Sequence, residues 1–352
     1  MDKIIMWIMA VGAVIGGIDY ILGNRFGFGK RFEEGFLLLG PTALSMAGII
    51  CLTPILSLFL KNAIVPLWVQ LGLDPAMLGG ILAIDMGGYQ LAKDLAISPN
   101  VGIYSGLIVA ATFGCTITFT IPVGMGMIEQ KDQPVFARGM LIGIGMMPIS
   151  LIVGGLLCKL RLVDILIQSL PIVILSIFLM IGIGKFPKRT VKGFSIAALL
   201  IKILATVGLI AGTVCYMTGW NFIPNLSPIE DAMAVVSSIG VVMLGSLPIA
   251  ELLQRLLKCP LSWIGKKTGM NNSSIAGLLI GIVSPVPAIV MIKDMDRRGK
   301  VVNAAFLVCA ASTLAAHMGF TFSVERDFVL PLLCSKLVGG MVGVVCALIF
   351  TR

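Results

Sequence analysis

The chain has 352 residues, of which 58% are hydrophobic and 12% are charged, and its mean hydropathy is +1.04. This composition excludes a soluble globular protein and describes an all-α protein that crosses a membrane several times. The apolar blocks are too long for the short alternating segments of a β-barrel. A net charge of +9 can indicate binding of nucleic acid, but here the Lys and Arg residues are concentrated on one face of the membrane, as the positive-inside rule describes. We therefore expect membrane lipids as partners and no nucleic acid.

Nine apolar blocks are long enough to cross a bilayer, which takes roughly 20 residues. The first block follows Met1 with no evident cleavage site, so we expect an uncleaved helix. The eight cysteines show no metal or redox spacing and are interpreted as packing residues, so neither a metal nor a cofactor is expected. The predicted crossings are 4–22, 36–60, 101–128, 137–158, 164–184, 194–217, 232–257, 301–323 and 328–350.

Two further apolar segments are interrupted. Segment 76–97 is cut by Asp85-Met86-Gly87-Gly88, and segment 273–292 by Ser284-Pro285-Val286-Pro287. If both segments enter and leave on one side, 18 Lys and Arg lie on one face and six on the other. If both cross, the split is nearly even, so the positive-inside rule favours two re-entrant hairpins. The N-terminus is then outside, the C-terminus is cytoplasmic, and the first hairpin enters from outside.

The order of helix, hairpin and helix occurs twice within one membrane domain, 1–352. Repeat 1 covers 36–128, repeat 2 covers 232–323, and connecting helices occupy 137–217. The hairpins enter from opposite faces, so the repeat is predicted to be inverted, as in transporters that bind substrate at broken helices. The alternative is a chance similarity of two membrane segments. The matching runs are Leu71-Gly72-Leu73 with Thr268-Gly269-Met270, and Lys93-Asp94-Leu95 with Lys293-Asp294-Met295.

Asp85 is the first candidate for substrate binding. An acid inside a membrane segment is costly and by default functional, although it can instead be the structural partner of Lys93 or Lys336. The exposed carbonyls of a broken helix add negative potential, which favours a cationic substrate near Gly87 and Gly88.

Further candidates are polar residues in and around the two repeats. Tyr89 offers a π-face to an ammonium or an interfacial anchor, and Gln90 offers a partner for a hydroxyl. In membrane helices a serine or threonine hydroxyl often bonds its own backbone instead of a ligand, and a lone histidine is as readily a structural residue as a site residue. Lys202 and Lys336 are predicted to extend towards the membrane surface. The remaining candidates are Thr116, Ser284, Ser312, His317 and Glu34.

Several motifs stand out along the chain. They are Glu33-Glu34-Gly35-Phe36, Asp85-Met86-Gly87-Gly88-Tyr89 with Leu91-Ala92-Lys93, Tyr104-Ser105-Gly106-Leu107, Met295-Asp296-x-Arg298-Gly299-Lys300-Val301 and His317-Met318-Gly319-Phe320. These motifs and their order, from about residue 4 to residue 350, resemble the EutH family of bacterial ethanolamine transporters. Two departures are the hairpin tip Ser284–Pro287, where an Asn-Asn-Ile-Pro type is expected, and Ala316, where an acid is expected.

The resemblance implies uptake of ethanolamine, a small protonated amino alcohol, across the bacterial cytoplasmic membrane. We expect Asp85 to bind the ammonium and Gln90, Thr116, Ser284 or Ser312 to meet the hydroxyl. With no sodium site apparent, uniport by alternating access in a homodimer is favoured, with no catalytic step. The alternative is a membrane enzyme that acts on lipid head groups and holds magnesium with Asp294 and Asp296.

Overall fold

The computed structural model describes residues 2–82 and 85–351, and in that part of the chain it contains helices and no strand. The expectation of an all-α architecture is therefore confirmed. In chain order the helices are α1 (Asp2–Ile21), α2 (Phe28–Leu37), α3 (Leu39–Ala63), α4 (Val65–Gln70), α5 (Met77–Ile81), α6 (Gly88–Leu95), α7 (Pro99–Ile103), the π-helical stretches Tyr104–Gly114 and Thr116–Thr120, α8 (Ile121–Met127), α9 (Gln133–Leu157), α10 (Leu162–Lys185), α11 (Pro187–Thr218), α12 (Ile229–Thr268), α13 (Asn272–Val283), α14 (Pro285–Val290), α15 (Arg297–Ala310), a π-helical turn Thr313–His317, α16 (Met318–Val324) and α17 (Val329–Phe350).

Nine stretches within the described ranges are long and apolar enough to cross a membrane, which confirms the predicted number. The second begins earlier than predicted, at Phe28. Part of the charge before residue 36 is paired, since Arg31 of α2 binds both Glu34 and Glu251 of α12. The nine spans are Ile4–Ile21, Phe28–Ala63, Pro99–Met127, Gln133–Leu157, Leu162–Lys185, Pro187–Thr218, Ile229–Leu257, Arg297–Val324 and Arg326–Phe350.

Two of these spans form the centre of the molecule. Their most apolar windows are 78% buried in Pro99–Met127 and 83% buried in Arg297–Val324, against 17% in Ile4–Ile21 and in Pro187–Thr218. The hydroxyl of Thr116 connects them by donating to the carbonyl of Val308, at 2.9 Å. Each central span directly follows one of the two interrupted segments, so both interruptions lie next to the core.

The first interrupted segment folds back on itself. Helices α5 and α6 pack together so closely that a Cβ on Gly79 would lie 2.6 Å from the amide nitrogen of Ala92. The break between them contains Asp85 and also residues 83–84, which lie outside the described residues. The carboxylate of Asp74 accepts hydrogen bonds from the N–H groups of Ala76, Ile97 and Ser98, at 2.9, 3.2 and 2.8 Å. The two ends of the segment therefore meet at one place.

The second interrupted segment has the same construction. Helix α13 ends at Val283 and α14 begins at Pro285, so the break falls at the predicted prolines. The Asp296 carboxylate accepts from the Asn271 N–H at 2.9 Å, and the Asn271 side chain donates to the Asp294 carbonyl at 2.9 Å. Both ends of this segment also meet at one place.

Candidate functional site

The site begins at the break in the first interrupted segment. Asp85 has a φ of 51°, a left-handed conformation that aspartate tolerates better than most residues. It starts the short turn Asp85–Gly87 that leads into α6. The side chain is 28% exposed, so the carboxylate faces both protein and open space. A break in a helix leaves some backbone N–H and C=O groups without helical partners, and such groups can bind a ligand.

His317 faces Asp85 from the other central span. Helix α15 ends at Ala310, Ser312 takes a left-handed φ of 56°, and a π-helical turn then carries His317 inwards. The Nε2 atom of His317 lies 3.1 Å from Oδ1 of Asp85, and the imidazole side chain is 2% exposed. Its Nδ1 atom lies 3.2 Å from the carbonyl oxygen of Ala311. The two residues, 232 positions apart, join the two interrupted regions.

Cys115 completes a compact group with this pair. Single donor atoms of Asp85, Cys115 and His317 all lie within 4.8 Å of one another. Cys115 separates the two π-helical stretches, and π-helical turns occur often at functional sites. Spacing along the chain, on which the cysteines were interpreted as packing residues, does not reveal this arrangement.

Lys336 is the buried cation of the region. The sequence predicted that it extends to the membrane surface, and this is wrong, because its side chain is fully buried and donates to the carbonyl of Ala111 at 2.5 Å. The π-helical geometry of Tyr104–Gly114 alters the backbone hydrogen-bond pattern around that carbonyl. Lys93, the other lysine considered for Asp85, lies instead 3.3 Å from Oε1 of Glu325.

A cavity of about 410 Å³ opens beside Asp85. The interrupted segment contributes Asp85, Met86 and Gly87 to its wall. Thr118 and Phe119 come from the second π-helical stretch, and α3 and α11 supply the remaining, mostly apolar wall, together with Lys202. A mostly apolar cavity with few polar groups is typical of a small-molecule site. Among the described residues that line it, the one acid is Asp85.

The other predicted site residues divide into two groups. Gly87 lines the cavity, whereas the carbonyl of Gly88 lies against Gly79 inside the hairpin. Gln90 donates to Asp94 at 3.1 Å, and the Thr116 hydroxyl is occupied by the carbonyls of Thr112 and Val308.

Four more predicted residues, like Gly88, Gln90 and Thr116, are not part of the cavity wall. The Tyr89 hydroxyl donates to Glu325 at 2.7 Å, and Glu34 pairs with Arg31 at 2.8 Å. Ser284 occupies the break between α13 and α14, and the Ser312 N–H donates to the carbonyl of Gly281. Of the four threonines at 112, 116, 118 and 120, sequence reasoning selected Thr116 and not Thr118. It missed Asp74, Cys115 and Glu325, of which only Asp74, an acid just before a broken segment, carried a signal.

Within the described residues, nine membrane-length stretches and the pair of partly exposed Asp85 and buried His317 define a polytopic helical membrane protein with a polar site between two interrupted segments. The chain belongs to the EutH family: the family model described as "Ethanolamine utilisation protein, EutH" matches residues 1–350.

Relatives align over nearly the whole chain. A Listeria monocytogenes protein named probable ethanolamine permease EutH is 39% identical, covering 97% of this chain and 92% of its own. An Escherichia coli protein of the same name is 37% identical, covering 97% and 94%, and Bacillus subtilis YxeR is 35% identical, covering 97% and 93%. No solved structure matches the chain.

Proposed function

We propose that this protein takes up ethanolamine across the bacterial cytoplasmic membrane, as a transporter and not as an enzyme. The observation that carries the proposal is Asp85, a partly exposed carboxylate at a helix break that faces a cavity. The names of the relatives from Listeria monocytogenes and Escherichia coli support ethanolamine as the substrate. An ammonium of the lysine type, with a pKa of ~10, is charged at neutral pH and needs a counter-ion away from water.

The substrate would lie with its ammonium on Asp85 and its hydroxyl towards the second π-helical stretch. Among the residues predicted for the hydroxyl, Gln90 and Thr116 already have protein partners. Thr118 lines the cavity, and its own proton goes to the Gly114 carbonyl at 2.9 Å. A hydroxyl oxygen retains acceptor capacity after it donates, so Thr118 is the residue we assign to the substrate hydroxyl.

The two interrupted segments would be re-entrant hairpins of an inverted repeat. Support comes from the side chains that hold the ends of each segment together, Asp74 in the first and Asn271 with Asp296 in the second. Single cysteines at Leu71 and Ile97 should both label from outside, and cysteines at Lys267 and Lys293 both from the cytoplasm. Labelling of either pair from opposite faces would show that the segment crosses.

Transport would proceed by alternating access, with the hairpins moving against the other helices, which would also form a homodimer. With the amine as the transported ion, uniport is the simplest cycle, and a membrane potential favours entry of a monovalent cation by roughly 2.3 kcal/mol per 100 mV. Inward-facing and outward-facing structures in which the hairpins keep one position against every other helix would contradict this motion.

The alternative of a magnesium enzyme finds little support at Asp294 and Asp296. Asp296 caps α15 and accepts from the Ser274 hydroxyl at 2.6 Å and from the N–H groups of Asn271 and Gly299. A carboxylate already used in this way is poorly placed to bind magnesium, which demands near-octahedral oxygen ligands.

Uptake by purified protein in liposomes separates the two functions. The transporter should carry labelled ethanolamine down its gradient with a chelator present, and the amine should be recovered unchanged. Uptake should saturate, which separates a carrier from an open pore. Absence of uptake, or conversion of the amine that depends on a metal ion, would contradict the proposal.

A further inference from the structure

The imidazole of His317 contacts an acceptor at each of its nitrogen atoms. Nδ1 lies 3.2 Å from the Ala311 carbonyl, which can only accept, and Nε2 lies 3.1 Å from Oδ1 of Asp85. A neutral imidazole has one N–H, and an ionised carboxylate has none. For both contacts to be hydrogen bonds, one proton is needed on Nδ1 and a second between Nε2 and Oδ1.

This proton count fixes the charge of the pair. With both hydrogen bonds made, the pair is either imidazolium with carboxylate or neutral imidazole with carboxylic acid, and its net charge is zero in both forms. A substrate ammonium that joined a neutral pair would bring a buried charge without an equal counter-charge, which is costly. The pair has to lose the shared proton before its carboxylate is fully available to the amine.

We propose that the Asp85–His317 pair is a proton-binding site, and that each ammonium that binds expels one proton from it. The N–H···O bond between Nε2 and Oδ1 is exchanged for an ammonium N–H···O bond to Asp85. The proton leaves through the cavity that Asp85 lines. His317 stays neutral and keeps its Nδ1 proton on the Ala311 carbonyl. The charge of the occupied site equals that of the empty one.

The charged and titratable neighbours act in the same direction. Lys336 of α17 and Lys202 of α11 both lie near Asp85, the first fully buried and the second in the wall of the same cavity. Positive charge on either lysine opposes the arrival of an ammonium at a site that keeps its proton. Cys115, between the π-helical stretches, presents its thiol to the same pair. Within the described residues, the ion-pair partner of Asp85 closer than 4.0 Å is His317.

This inference rests on the proposed function, because it concerns how ethanolamine binds. If the empty site carries its proton back across the membrane, each transport cycle exchanges one amine for one proton instead of moving the amine alone. Uptake would then respond to a pH gradient and not to the membrane potential.

Calorimetric titration of the purified full chain with ethanolamine tests the proposal. Titrations in buffers of different ionisation enthalpy, between pH 5 and 8, count the protons released; the amine itself stays protonated over this range. We expect about one proton per amine at low pH, and an affinity that falls about tenfold per pH unit below the point where the pair loses its proton. His317→Gln keeps a donor towards Asp85 but does not titrate there, so its binding should release no proton and should not vary with pH. Asp327→Asn, at an exposed carboxylate, should behave like the wild type.

The outcomes are distinguishable. Saturable wild-type binding with no proton release at any pH would overturn the inference and leave the proposed function standing. A His317→Gln variant that binds and still releases one proton would also overturn it, because the proton would then come from another group. No ethanolamine binding by the wild type would overturn the proposed function and this inference together. The number of protons that the wild type releases per amine tests the inference by itself, even if the His317→Gln variant fails to fold.

Discussion

The hydroxyl of Tyr89 donates a 2.7 Å hydrogen bond to Oε1 of Glu325, which connects the segment after Asp85 with the end of the second central span. The ammonium of Lys93 lies 3.3 Å from the same carboxylate oxygen, and the ring of Tyr89 packs edge-on against Phe320 at 5.7 Å. The ring is almost fully buried. The aromatic side chain that the sequence suggested for the substrate therefore connects the first interrupted segment with the end of the second central span.

Tyr89→Phe should weaken this connection without affecting the binding site. It removes one hydrogen bond to a carboxylate that is partly exposed and keeps Lys93, so we expect a loss of about 1–2 kcal/mol in the free energy of unfolding. Ethanolamine affinity should stay within about threefold of the wild-type value, because the phenyl ring still fills the space that the tyrosine ring occupies. Unfolding in detergent and ligand binding measure the two effects, with Tyr216→Phe, at an exposed tyrosine, as the control. Loss of binding in Tyr89→Phe would return Tyr89 to the substrate site.

Asp74→Ala should destabilise the first hairpin. The substitution leaves the N–H groups of Ala76, Ile97 and Ser98 without their acceptor, and the Asp74 side chain is largely buried. We expect a loss of about 2–3 kcal/mol in the free energy of unfolding, whereas Asp74→Asn, which keeps one acceptor oxygen, should lose less. Asp231→Ala, at an exposed acid, is the control. Equal stability of Asp74→Ala and wild type would mean that the ends of the hairpin are held by other contacts.

Asp296 should make stability depend on pH below about 4. Burial raises the pKa of this carboxyl, but hydrogen bonds from the Ser274 hydroxyl and from the N–H groups of Asn271 and Gly299 outweigh burial and hold the pKa below its usual value. The folded state then binds the proton less tightly than the unfolded state, so the stabilisation exists above about pH 4 and is lost as the pH falls further. Unfolding of wild type and Asp296→Asn between pH 3 and 6 measures this. An equally steep loss in both proteins would place the effect elsewhere.

Lys202→Gln should raise the affinity for ethanolamine. Lys202 lines the same cavity as Asp85 and repels a substrate ammonium there. We expect binding to be about two- to fivefold tighter, with a smaller gain at high salt because salt screens exposed charges. Lys192→Gln, on the same helix but beside a different cavity, should bind like the wild type. Weaker binding by Lys202→Gln would show that Lys202 supports the substrate, for instance by donating to its hydroxyl.

The fold was largely predictable because its signals are local. Long apolar runs predict the nine spans, and the glycines after Asp85 and the prolines after Ser284 predict the two breaks. The break at Ser312 was not predictable, since Ala-Ala-Ser-Thr contains neither glycine nor proline. Burial of Lys336 was missed for a related reason: its acceptor, the Ala111 carbonyl, is offered by another helix 225 positions away.

The candidate site was predictable only in its parts. Asp85 and His317 were each conspicuous, one as an intramembrane acid and the other as the single histidine. Their contact depends on how two interrupted segments pack, which no local pattern reports. The threonines illustrate the same limit, because four occur within nine residues and packing alone decides that Thr116 bonds Val308 while Thr118 faces the cavity.

The central claim is that Asp85 is the counter-ion of the substrate, and the most direct measurement is binding of labelled ethanolamine to purified, folded Asp85→Asn. The amide keeps the size of the side chain and removes its charge, so the buried ammonium loses its partner, at a cost of about 3 kcal/mol or more. We expect affinity to fall at least a hundredfold (about 1.4 kcal/mol per factor of ten), while Asp85→Glu retains part of it and choline, which has no ammonium hydrogens to donate, competes poorly. Asp327→Asn is the matched control and should bind like the wild type. Near-native affinity in Asp85→Asn would contradict the account, because the carboxylate would then be a structural partner of His317 and the amine would bind elsewhere.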